Sequence, residues 1–189
     1  MIDKYLQPLF AMCFEHITIH DGLWRKAKIT WLFKSGDPRD PGNYRGISLH
    51  SVMGKLYTSV LNARLTKFLE TPVRGKRRIS THQNGFRTGE GRSCQEHILS
   101  LAEVLRQRKR SHQDSFVFYQ DFSKAFDLVD FKCLEYKLHK IGVTGKLRKN
   151  IMRLYKNIKA RCTANGELSE EYQIQVGTAQ GCPLSPALF

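Results

Sequence analysis

Apolar residues near the N-terminus recur at helical spacing: Leu6, Leu9, Phe10, Cys13 and Ile17 predict an amphipathic helix. Residues 27–33 (AKITWLF) then read as a strand ending at Lys34. The stretch SGDPRDPGN follows, where Pro38, Pro41 and two glycines forbid regular structure. Tyr44 to Leu49 is a second extended piece, so the two predict a hairpin-like unit with a polar tip. From Val52 to Leu69 a second helical stripe runs through Met53, Leu56, Tyr57, Val60, Leu61, Leu65 and Phe68. Residues 72–93 are basic and glycine-rich and read as a loop. Ile98, Leu101, Ala102 and Leu105 mark a third helix that runs into RQRKR.

The pattern then changes. Residues 116–120 (FVFYQ) are dense in aromatics and predict a strand that delivers Asp121 at its C-terminal end. Two shorter helices are expected, around Leu134 and Leu138 and around Ile151 and Leu154. Asn165-Gly166 separates extended pieces and suggests a tight turn. In the closing GTAQGCPLSPALF, Pro183 is expected in the first turn of a last helix. Helices and short strands do not strictly alternate, so the class is α+β.

Composition changes this picture in one respect. Hydrophobic residues at 41% and charged residues at 25% of 189 are ordinary for a globular chain. The net charge of +14 is not, and it favours a polyanionic partner, nucleic acid or an acidic membrane surface. Half of that excess lies between Arg74 and Arg110, where ten bases face three acids. Arg74, Lys76, Arg77, Arg78 and Arg87 are the candidate phosphate contacts there. The five cysteines form no CxxC pair, which argues against a disulfide framework or a zinc knuckle and for reduced, mostly buried thiols in an intracellular protein. No apolar run reaches the ~20 residues of a membrane span, so no membrane partner is expected.

Candidate chemistry concentrates in DFSKAFDLVD, Asp121 to Asp130. An acid held at the end of a strand suits phosphoryl transfer, where Mg²⁺ must be fixed between attacking and leaving oxygens. The ordinary role of such an Asp is to cap a helix, and Asp127 and Asp130 are read that way.

This segment resembles the first palm motif of reverse transcriptases, especially those of non-LTR retrotransposons and group II introns. GTAQGCPLSP (Gly177 to Pro186) resembles their second palm motif. WRKAKITWLFKSGDPRDPGNYRGISL (Trp24 to Leu49) resembles their fingers segment, and HQNGFR (His82 to Arg87) a further block. The four occur in the family's order and cover most of the chain. The resemblance implies a right-hand polymerase fold, fingers plus partial palm, truncated before the third palm motif and thumb. Residues 1–189 would then be a partial reverse transcriptase domain. About 1–115 would be mainly fingers, 116–130 and 174–189 palm, and 131–173 the intervening helices and hairpin.

Roles follow from the match, residue by residue. Asp121 takes the place of the first metal-binding aspartate, implying Mg²⁺, with Mn²⁺ as a substitute. Phe126 matches the aromatic gate that excludes a ribonucleotide's 2′-hydroxyl. Lys34 and Arg45 match the fingers residues that grip the incoming triphosphate, one a point charge and the other a fork. Gln180 and Gly181 match the pair beside the nucleotide and template, where Gly permits close backbone approach. The implied partners are an RNA template, a DNA primer and deoxynucleoside triphosphates, and the implied location is inside the cell, the nucleus included.

Departures accompany the match. Gly46 stands where many relatives have Pro, Thr178-Ala179 replaces a common Val-Arg, and RTGEGR before Ser93 is longer than the usual block. The third palm motif carries two adjacent aspartates, and this chain has no Asp-Asp pair. The expected function is therefore RNA-directed DNA polymerase by family, with the chain alone inactive. A catalytically silent RNA-binding remnant and a maturase-like intron protein are the alternatives.

Overall fold

The computed structural model describes residues 3–19, 24–73, 75, 78–87, 92–164 and 166–189. They form two compact units, one of Met1–Phe68 with Lys124–Phe189 and the other of Leu69–Ser123. The class is α+β with a five-stranded mixed sheet.

In the first unit, helix α1 (Asp3–His16) precedes strands β1 (Lys26–Phe33) and β2 (Tyr44–Leu49). These two pair antiparallel, from Lys28 opposite Leu49 to Phe33 opposite Tyr44. The polar tip between them is built by side chains. Asp40 accepts from the Gly42 amide at 2.8 Å, Asn43 Nδ2 donates to the Asp37 carbonyl at 3.0 Å, and Tyr44 Oη donates to the Pro38 carbonyl at 2.9 Å. Such local bonds replace the ladder that two prolines deny this stretch.

Helix α2 (Val52–Glu70) carries a fully buried line of Tyr57, Leu61 and Leu65, spaced four apart. Leu56, part of the predicted stripe, lies at the exposed margin. Phe10 of α1, Trp24 and Tyr57 form an aromatic cluster with centroids 5.2–6.0 Å apart. Helices α4 (Phe131–Lys140) and α5 (Gly145–Tyr155) bury Leu134, Leu138, Ile151 and Leu154. Asp130 caps α4, its carboxylate accepting from the Cys133 amide at 2.8 Å, and that bond holds its pKa below the usual range.

A polar link ties three helices. Tyr57 Oη donates to Asn150 Oδ1 at 2.8 Å, and Asn150 Nδ2 donates to the carbonyls of Phe14 and Lys146, both at 2.9 Å. Both residues are fully buried. Burial pushes the Tyr57 hydroxyl pKa well up, so it stays a donor. Tyr57→Phe would leave Asn150 Oδ1 without its donor, and the expected loss is about 1–3 kcal/mol in a urea melt. An unchanged midpoint would show that Asn150 finds another partner.

Strand β3 (Lys159–Ala164) joins β1 in parallel, which brings residues more than 130 positions apart side by side. Two-residue strands β4 (Glu167–Leu168) and β5 (Tyr172–Gln173) pair antiparallel with β3. The sheet order is β2-β1-β3-β4, with β5 also on β3. Gly166 takes φ +85 in the β3–β4 turn, while the Asn165 half of the expected pair lies outside the described residues. A last short helix, α6 (Ser185–Leu188), has Pro186 in its first turn, not Pro183 as expected.

The second unit holds α3 (Cys94–Arg110). Its start is a capping box that the sequence reading missed. Ser93 Oγ accepts from the Glu96 amide at 3.1 Å, and Glu96 Oε2 accepts from the Ser93 amide at 2.8 Å. The apolar stripe of α3 buries nothing among the described residues.

Two expectations need correction. Residues 116–120 form no strand, and Phe116 and Phe118 are 96% and 86% exposed. Strand propensity measures fit to a neighbouring strand, and no described segment pairs with this one. The thiols are free as expected but not mostly buried, since only Cys13 is.

Candidate nucleotide site

Lys34 and Arg45 flank the hairpin tip. Arg45 is paired across the ladder with Leu32, and the Lys34 amide donates to the Asn43 carbonyl at 2.9 Å, just beyond the last pair. The register thus sets the two residues as near neighbours on adjoining strands. Both are exposed, and among the described residues no carboxylate forms an ion pair with either.

The turn carrying Gln180 and Gly181 docks on the same strand. β2 is the edge of the sheet, and the outward amide of Ser48 donates to the Gln180 carbonyl at 2.8 Å. Gly181 has φ +107, and a Cβ placed on it would sit 2.8 Å from the Ser48 carbonyl oxygen. Glycine is required twice over here, by conformation and by contact. The close approach foreseen for Gly181 is made to β2, three residues from Arg45.

Phe126 and Asp127 reach the same turn from the other side. The Thr178 amide donates to the Phe126 carbonyl and the Gly177 amide to the Val129 carbonyl, both at 2.8 Å. Gly177 (φ +94) would drive a Cβ to 2.8 Å from the Asp127 carbonyl. Gln180 Nε2 donates to Asp127 Oδ1 at 2.8 Å. The Phe126 ring is half-buried, with its centroid 5.1 Å from that of Phe189. Phe126, Gln180, Gly181 and the Arg45 strand are therefore brought together within one unit.

Asp127, expected to cap a helix, instead accepts from Gln180. Asp130 caps α4, which leaves Asp127 with no local task inside the same motif. Thr178, which stands where a Val is common, is buried at 3% exposure, and its amide donates to the Phe126 carbonyl.

Asp121 belongs to the unit Leu69–Ser123 and is exposed. With no strand before it, its carboxylate is not held at a sheet edge as expected. Among the described residues no group of three or more acids, histidines or cysteines could hold a metal ion. Two-metal chemistry needs several shared carboxylates. The described donors do not by themselves make a metal centre.

Of the basic candidates, Arg74, Lys76 and Arg77 lie outside the described residues. The Arg78 Nη1 donates to the Thr71 carbonyl at 2.9 Å. The Arg87 fork is taken up internally. Its Nε and Nη2 donate to the two oxygens of Glu70, and its Nη1 donates to the carbonyls of Ser80 and Gln83. Its side chain is 3% exposed, and the Glu70 bonds raise its pKa further. With four of its five donors spent, Arg87 has little to offer a phosphate, against the expectation. No described helix is long and apolar enough to cross a membrane.

Residues 25–189 match the reverse transcriptase (RNA-dependent DNA polymerase) family. The Retrovirus-related Pol polyprotein from type-2 retrotransposable element R2DM of Drosophila melanogaster is 26% identical over 165 residues, covering 87% of this chain and 15% of that protein. The probable RNA-directed DNA polymerase from transposon BS of Drosophila melanogaster is 30% identical over 168 residues, covering 88% and 18%. The RNA-directed DNA polymerase from mobile element jockey of Drosophila funebris is 29% identical over 165 residues, covering 86% and 17%. The chain spans less than a fifth of each of these relatives. With that match over most of its length, the chain belongs to the reverse transcriptase family and is related to the polymerases of non-LTR retrotransposons.

Proposed function

We propose that this chain is the nucleotide-handling part of an RNA-directed DNA polymerase, fingers with part of the palm of a right-hand fold. The observation that supports this most is the docking of the Gln180–Gly181 turn on β2 beside Arg45, with Phe126 bonded to the same turn. Lys34 and Arg45 grip the triphosphate, Gln180 and Gly181 form the floor under base and template, and Phe126 lies where a sugar would pass. The partners are an RNA template, a DNA primer and deoxynucleoside triphosphates. Asp121 serves as the first acidic ligand for divalent metal once further carboxylates are supplied, and the chain by itself does not polymerise. Arg78 and the basic end of α3 contact nucleic acid, with Arg74, Lys76 and Arg77, whereas Arg87 acts as an internal tie. The protein works inside the cell.

The test uses a chimera completed with the third palm motif and thumb of a relative. Arg45→Ala is expected to raise KM for deoxynucleotides about 10–100-fold, the loss of one or two charge-assisted bonds, with a smaller change in kcat. In the same chimera Phe126→Val admits ribonucleotides more readily. An active chimera with unchanged KM would remove Arg45 from the triphosphate, and an unchanged ribo-to-deoxy ratio would remove Phe126 from the gate.

A further inference from the structure

The parallel pairing of β1 with β3 has an electrostatic consequence away from the hairpin tip. Side chains alternate between faces along a strand, and residues paired across a ladder share a face. In β1, Lys26 and Lys28 are exposed while Ala27 between them is buried; in β3, Lys159 and Arg161 are exposed while Ala160 is buried. The register puts Lys26 opposite Lys159 and Lys28 opposite Arg161. Two like-charged rungs therefore stand in succession on one face, separated by about 6.6 Å along the strand.

Like charges directly opposite each other disfavour the pairing unless a counter-charge offsets them. One rung is compensated. Glu171 spans it, with Oε2 at 2.8 Å from Lys26 Nζ and Oε1 at 2.8 Å from Lys159 Nζ. The two ammonium groups hold the Glu171 carboxyl at a pKa of about 2, so it stays charged. The second rung has no such partner: among the described residues no carboxylate pairs with Lys28 or Arg161. All four cations line one groove of about 420 Å³, with Leu49 and Leu168 at its sides. The face continues along the strands. Lys28, Thr30 and Leu32 alternate on it, and Leu32 is paired with Arg45.

We propose that this groove binds the phosphate backbone of a single-stranded nucleic acid, the Lys28–Arg161 rung contacting phosphates and the Glu171-bridged rung flanking them. The proposal rests on the nucleic-acid reading of the family, but its residues are not those assigned to the triphosphate. A groove lined by four cations offers the phosphates of a strand several contacts at once. A flat anionic membrane surface does not reach into it. The groove's half-exposed leucines are too few to anchor a bilayer.

The experiment uses residues 1–189 and a labelled oligouridylate, with affinity followed by fluorescence anisotropy over a range of salt. Lys28→Thr with Arg161→Thr keeps strand-forming side chains at both positions. It is expected to weaken binding and to lower the slope of log affinity against log salt by about 1.4, two contacts at about 0.7 each. The same double variant is expected to melt at a higher temperature, because a like-charged pair has been removed. Glu171→Gln frees the first rung and is expected to tighten binding and steepen the slope. An unchanged slope in the folded double variant, or no tightening in Glu171→Gln, would overturn the proposal. Loss of binding to phosphatidylserine vesicles with RNA affinity unchanged would overturn it in favour of a lipid surface. None of these readouts needs catalysis, so their failure leaves the nucleotide site as it stands, and failure of the Arg45 test leaves the groove.

Discussion

Asp121→Asn is expected to abolish primer extension in the completed chimera, on the order of 10³-fold or more, while leaving RNA binding nearly intact. Residues 1–189 alone are expected to extend no primer on an RNA template, with Mg²⁺ or with Mn²⁺. The argument is a count of ligands. In-line nucleotidyl transfer needs two divalent ions about 3.5–4 Å apart, clamped by shared carboxylates. The chain has no Asp-Asp pair, and its described residues hold no cluster of three or more candidate ligands. Asp130 caps α4 and Asp127 accepts from Gln180, so each has a task in the fold apart from metal binding. Extension by the bare chain above a mock-purified control would show that the count is wrong. Full activity of the Asp121→Asn chimera would dismiss Asp121 itself.

Gly181→Ala is expected to lower stability by about 2–5 kcal/mol and to undock the turn from β2. Two penalties act together. A non-glycine residue at φ +107 is strained by about 1–3 kcal/mol, and a Cβ 2.8 Å from the Ser48 carbonyl adds an overpacking term of similar size. A backbone atom cannot swing aside as a flexible side chain would, so the turn must lift. The Ser48 amide, which donates to Gln180, then loses its partner. Hydrogen exchange at Ser48 reports this directly, and urea unfolding gives the stability. If Ser48 keeps its protection and the midpoint does not move, the turn is not held by this contact.

The turn that carries Phe126 and the turn that carries Gln180 are fastened to each other and to the sheet. The Asp127–Gln180 bond and the Gly177 contact fasten the Phe126 turn to the Gln180 turn, and the Ser48 bond fastens the latter to β2. Change at any one of these points should therefore be felt at the others, because close-packed backbone transmits displacement.

Much of the local structure was legible along the chain. The helical stripes foretold α1, α2, α3, α4 and α5, because a 3.6-residue period needs only neighbours within a few turns. The prolines and glycines of SGDPRDPGN foretold the hairpin tip, since their backbone limits hold in any context. The motifs around Asp121, Lys34, Arg45 and Gly177–Pro186 pointed to the family, which the match over residues 25–189 bears out.

Tertiary structure decided what depends on a distant partner. FVFYQ has the composition of a strand but finds no described segment to pair with, and so takes no regular structure and stays exposed. Arg87 carries a charge suited to phosphate but spends its donors on Glu70 and two carbonyls. Asp127 looked like a spare capping residue until a turn 53 positions away supplied Gln180. The cationic groove is the plainest instance. Lys26, Lys28, Lys159 and Arg161 are ordinary surface residues in sequence, and only the parallel register of β1 with β3 sets them in two facing rungs. Propensity and periodicity are local and therefore written in order along the chain. Strand register, ion pairing and the fit of a glycine against a foreign carbonyl arise only when remote segments meet.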